Sequence, residues 1–187
     1  MARIEQLSPE AATGRARELL DAVKDRLGLV PNMTRAMANA PAALDGYLQL
    51  QGALSKGALP ARVREQIALA VAQANGCDYC LAAHSAVGRM VGLTAEGIRD
   101  SRLGGAVDAK ADALIRFALR VLETRGRVDR GDLDAVRRAG YDDGAIAEVV
   151  ANVALHVFTN YLNLVARTDL DFPEAAALHA AIPAEVA

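Results

Sequence analysis

Apolar side chains recur at three- and four-residue spacing in run after run of this chain, and nowhere do they alternate in twos. A period near 3.6 collects them on one face of a helix, whereas a strand needs a period of two. Val63, Ile67, Ala70, Val71 and Ala74 make one such face, and Leu114, Phe117, Ala118, Val121 and Leu122 another. Glycine closes the runs at Gly28, Gly92, Gly126 and Gly140. The pattern predicts helices over about Pro9–Leu27, from Thr34, Pro41–Leu54, Ala61–Ala74 with Pro60 as first helical residue, Cys77–Val91, a short one after Thr94, Asp108–Arg125, Asp129–Ala139 and Asp142–Arg167. A last short helix is expected around Ala175–Ala180. An all-α, compact multi-helix bundle follows, with the helices on either side of Asn75-Gly76 folded back as a central hairpin. Ala and Leu abound and Trp is absent, which agrees with that class.

A chain of 187 residues, 52 % of them hydrophobic, can bury a core without disulfide staples. It reads as a single all-helical domain over 1–187. The net charge is −2 with acids and bases mixed, and no basic tract with interleaved aromatics argues for nucleic acid. The start, MARIEQLSPE, is polar and unlike a signal peptide, and no window reaches the ~18 apolar residues that would suggest a membrane span. The expected compartment is the cytosol, where thiols are kept reduced.

The two cysteines, Cys77 and Cys80, are three residues apart just after a helix stop. A disulfide there would close almost no loop, so stapling is a poor reason for it. Two thiols at this spacing can form and break a local bond, and helix N–H groups nearby favour the thiolate, which is the nucleophile. His84 lies four residues past Cys80 and seven past Cys77, so a helix puts all three on one face. An imidazole there can take a thiol proton. Glu65, twelve positions before Cys77, can meet His84 across the hairpin and orient it. Two other readings stay open on the residues alone: a zinc site of Cys77, Cys80, His84 and Glu65, disfavoured because no second cysteine pair is present, and an inert buried pair.

In the helix from Asp142, Glu148, Asn152, His156, Asn160 (or Thr159) and Asn163 form one polar stripe on a mostly apolar helix. Buried polar groups need partners, so the stripe is either a structural network or, with His156, the lining of a pocket above the cysteines. His156, Asn160 and Tyr79 are the candidates for a pocket or an interface. Glu148 precedes Asn160 and Asn163 by the spacings that separate Glu65 from Cys77 and Cys80, which suggests an internal duplication with its core at about 55–170.

Glu65, eleven intervening residues, Cys77-x-x-Cys80, three more, then His84 resembles the active-site signature of the alkylhydroperoxidase D-like branch of the carboxymuconolactone decarboxylase family. Leu29-Val30-Pro31-Asn32, Phe158-Thr159-Asn160-Tyr161 and Asp171-Phe172-Pro173 look like its peroxidase-related subgroup. The resemblance implies the all-helical fold of that branch, a symmetric homo-oligomer (trimer or hexamer), and reduction of a hydroperoxide with electrons from a thiol or dithiol reductant. No cofactor or metal is expected. By the same resemblance Cys80 attacks the peroxide, Cys77 resolves the product as a disulfide, and His84 and Glu65 relay the proton. A histidine that some members carry between the cysteines is not matched, since Asp78 and Tyr79 stand there. The same thiol pair would also serve a disulfide reductase or a redox sensor. A lactone decarboxylase is disfavoured, because that branch lacks the cysteines.

Overall fold

A computed structural model describes residues 2–178, and among them every regular element is an α-helix. The order is α1 (Gly14–Leu27), α2 (Asn32–Met37), α3 (Pro41–Leu54), α4 (Ala61–Asn75), α5 (Asp78–Met90), α6 (Ala95–Arg102), α7 (Ala109–Thr124), α8 (Arg130–Arg138) and α9 (Asp143–Ala166). The expected all-α bundle is what forms.

α4 is the hub and packs against α5, α6, α7 and α9. Its apolar residues run around most of its circumference, and Ile67, Ala68, Leu69, Val71 and Ala72 have no exposed surface. A helix apolar on all sides has to be central. Val63, Ile67 and Val71 meet Leu114, Phe117 and Val121 of α7 and Val149 and Val153 of α9 in one core. A second core joins Leu19 and Leu20 of α1, Met37 and Leu44, with Leu162 of α9 packed against it.

Local chemistry explains the helix ends. Thr94, Asp108, Asp129 and Asp142 each accept a hydrogen bond from the backbone N–H three residues on, the usual first-turn cap. Gly76 closes α4 at φ 65°, where a side chain would be strained, and Cys77 N–H bonds back to Ala72 C=O at 3.0 Å. That tight reversal sets α5 against α4 and delivers the cysteines to their junction.

Three boundaries differ from the sequence expectation. The first helix starts at Gly14, because residues 8–12 form a turn held by the Ser8 carbonyl. α2 starts at Asn32, two residues early, and Pro60 is the cap before α4, with an extended ψ of 145°. Residues 175–178 of the last expected helix are not helical, and the rest of it lies outside the described residues. By length and hydropathy α9 could cross a membrane, against the expectation that no segment qualifies. Its inner face packs on α4 and α7.

Candidate active site

Cys77 is the N-cap of α5, and its sulfur accepts the Cys80 backbone N–H at 3.3 Å. The two cysteines are joined as a disulfide with their Cα atoms 5.3 Å apart. Both are buried, at 1 % and 3 % exposure. One turn on, His84 Nδ1 lies 2.8 Å from Glu65 Oε2, across the contact between α5 and α4. An ionised carboxylate only accepts, so Nδ1 carries the proton and Nε2 is left as the basic nitrogen.

Cys80, His84 and Glu65 line one cavity of about 290 Å³. Much of its wall is apolar or aromatic, including Met33, Tyr47, Val87, Leu155 and Phe172. Dry surroundings hold the Tyr47 phenol up at about 12, so it stays protonated at neutral pH. His156 reaches the cavity from α9, its ring edge-on to His84 with centroids 5.0 Å apart. Burial, and then the neighbouring His84, push the His156 imidazole well below its ordinary value.

The polar stripe of α9 divides by position. Asn152, His156 and Thr159 line the cavity. Glu148 faces the chain before α4 and accepts the N–H groups of Ala58 (2.7 Å) and Leu59 (3.0 Å). Gly57 admits it closely, since a Cβ there would meet the Glu148 carboxylate at 2.5 Å. Asn160 is fully buried and accepts from Asn75 Nδ2 at 2.9 Å, outside the cavity wall. Asn163 Nδ2 donates to the Cys80 sulfur at 3.3 Å. Its Oδ1 is buried and has no hydrogen-bond partner among the described residues.

Tyr79, one of the two residues between the cysteines, turns its hydroxyl to the segment after α9. Its hydroxyl donates to Asp171 Oδ2 at 2.5 Å and accepts from Met33 N–H at 3.3 Å. Burial first, then that carboxylate, raise its pKa. Asp171 Oδ2 also accepts the Asn32 N–H at 2.8 Å. The segment after α9 thus straps across to α2, with Phe172 in the cavity wall. Sequence reasoning missed Met33, Tyr47 and Phe172, which come from segments with no periodic link to the cysteines, and the role of Asn163. The one signal available was that Pro31-Asn32 and Asp171-Phe172-Pro173 carried the same resemblance, and these two segments touch. Among the described residues no three His, Cys, Asp or Glu side chains converge as metal ligands.

Fold and site together define an all-helical bundle with a cysteine pair, an imidazole and a carboxylate at its central hairpin. Residues 40–124, which hold Glu65, Cys77, Cys80 and His84, match the model of the carboxymuconolactone decarboxylase family. The structure is similar to the alkylhydroperoxidase AhpD core of a peroxidase-related protein from Ralstonia eutropha JMP134, with a TM-score of 0.82 and 24 % identity over 91 % of this chain and 92 % of that one. A peroxidase-related protein from Silicibacter sp. TM1040 superposes with a TM-score of 0.77 and 21 % identity, covering 89 % of each chain. A cysteine-to-alanine variant of the debrominase Bmp8, in complex with 2,3,4-tribromopyrrole, gives 0.75 and 18 % over 90 % of this chain and 91 % of that one. At these identities the likeness is one of fold. No curated protein matches the chain in sequence.

Proposed function

We propose that this protein is a thiol-dependent peroxidase that reduces hydroperoxides through a Cys77–Cys80 dithiol/disulfide cycle in antioxidant defence. The observation that carries the reading is the convergence of Cys80, His84 and Glu65 on one cavity, with His84 held at 2.8 Å by Glu65. In the reduced protein His84 Nε2 takes the Cys80 proton, and Glu65 steadies the imidazolium. The thiolate attacks one peroxide oxygen, the O–O bond breaks, and the departing alkoxide takes the proton back as an alcohol. Cys80 is left as a sulfenic acid. Cys77 attacks its sulfur, water leaves, and the disulfide forms. A thiol reductant then restores both thiols, which suits a reducing compartment such as the cytosol.

Peroxide oxidation of Cys77→Ser and Cys80→Ser followed by stopped flow tests the roles. Cys80→Ser is expected to abolish the first oxidation and Cys77→Ser to leave it, with sulfenic acid accumulating. If both variants react like the wild type, the pair is not the site.

Reductive dehalogenation is the second reading. The debrominase shares the fold, and the rings of Tyr47, Tyr79 and Phe172 at the cavity suit a small aromatic ligand. Bromide release from tribromopyrrole with thiol, without peroxide turnover, would favour it. Self-association through α9 is part of the proposal. Val150, Phe158, Tyr161 and Val165 expose 39–62 % of their surface on one row of that helix.

A further inference from the structure

The disulfide borders two openings, and the peroxide step uses one. Cys80 lines the cavity with His84. Cys77 does not; it lines a separate opening of about 560 Å³ with Asp78, Asn163, Arg167, Thr168 and Glu174. Tyr79 borders both. The strap after α9 alternates between them, with Phe172 in the cavity wall and Leu170 and Glu174 in the other. Asp171 between them is tied to the Tyr79 hydroxyl at 2.5 Å. Tyr79 and the strap are therefore a partition between a largely apolar chamber at one sulfur and one with charged side chains in its wall at the other.

We propose that the second opening admits the reductant, a small thiol, which attacks Cys77 there. The inference rests on the dithiol cycle above and adds where its electrons enter. A thiolate attacks a disulfide sulfur in line with the S–S bond, from the side away from the leaving sulfur. Attack on Cys77 therefore comes from the side away from Cys80, and the second opening is lined by Cys77 and not by Cys80. The incoming sulfur bonds to Cys77, the S–S bond breaks, and Cys80 leaves with the electron pair as a thiolate. Asn163 Nδ2, 3.3 Å from that sulfur, and the first turn of α5 receive the charge. A second thiol attacks the reductant's sulfur in the mixed disulfide. Cys77 leaves as the second thiolate, the reductant departs as its own disulfide, and two protons from the two thiols complete the dithiol. Separate openings keep an apolar peroxide and a polar thiol from competing for one chamber.

The test starts from protein oxidised with diamide, so it does not depend on peroxide. Glutathione is added as a monothiol probe, the reaction is quenched in acid, and the adduct is located by fragment-ion mass spectrometry. An adduct on Cys77 is expected, and one on Cys80 overturns the proposal. An adduct on Cys77 in a protein that turns over no peroxide upholds this inference while removing the peroxidase reading. Leu170→Trp, an exposed residue at the second opening, is expected to slow reduction by dithiothreitol at least fivefold more than it slows oxidation of the reduced protein by cumene hydroperoxide. Val87→Trp in the cavity should show the reverse ratio. If Val87→Trp alone slows reduction, the thiol enters through the cavity and the proposal falls.

Discussion

His156 is an imidazole with 7 % of its surface exposed, facing a second imidazole rather than a carboxylate. Burial and the approach of His84 both disfavour its charged form, so the folded protein holds it neutral at pH values where the unfolded chain binds a proton. The sign follows from linkage. Its folded pKa lies below the unfolded value of about 6.5, so its contribution is whole above that pH and is lost as the pH falls. The loss is up to ~1.4 kcal/mol per pH unit below ~6.5 until the folded pKa is reached. Urea midpoints at pH 7.5 and 5.5 should show the wild type weaker in acid, and His156→Gln should flatten that difference. An unchanged difference in the variant would mean other groups set the acid response. Peroxide turnover in the same variant separates the two readings of the polar stripe, because unchanged turnover with lower stability makes His156 structural only. Asn163 differs in kind, since it touches the sulfur itself.

Among the elements, α2 and α4 share an arrangement that their own sequences do not reveal. Each is preceded by a proline that offers no side-chain cap. At α2 a carboxylate from far along the chain, Asp171, takes the N–H of the first helical residue Asn32, whereas at α4 Glu148 takes the N–H groups of Ala58 and Leu59 in the segment that leads to Pro60. An N-terminal cap is typically worth ~1 kcal/mol, and Asp171 also holds Tyr79. Asp171→Ala should therefore lower stability by roughly 1–2 kcal/mol in urea unfolding and expose the strap to limited proteolysis near residue 170. Wild-type proteolysis in that variant would show that other contacts hold the strap. This bears on what a sequence can tell. Helix class was legible because apolar spacing is a local signal, and so was the approach of Glu65 to His84, because one short reversal joins their helices. Asp171, Met33, Tyr47 and Phe172 were not legible as site residues. Their place depends on how the two ends of the chain cross, and no periodicity encodes that. The helix starts at Gly14, Asn32 and Ala61 slipped for a related reason, since a turn at Ser8, the distant Asp171 at Asn32 and the distant Glu148 on the segment before Pro60 are not encoded in the local sequence.

For the whole molecule the open question is the outer face of α9. Its inner face carries Val149, Val153 and Asn160 into α4 and α7. The outer face carries Val150, Ala154, Phe158, Tyr161 and Val165 at spacings of four, four, three and four, all exposed. A contiguous apolar row on a helix is uncommon on a monomer and marks a contact surface. The partner we propose is a second copy of the same chain, since the same row on two copies can meet across a symmetry axis. Sedimentation velocity should find the wild type as an oligomer, and the double variant Tyr161→Lys, Val165→Lys as a smaller species, because two buried charges at each contact cannot be desolvated without partners. These side chains do not line the cavity, so the rate of the first peroxide oxidation should survive the change. If it falls with the oligomer, assembly is what holds the α9 wall of the cavity in place, and His156 and Thr159 then depend on the neighbouring copy for their position. If the wild type already sediments as a monomer, the row has some other partner and the cavity is complete within one chain.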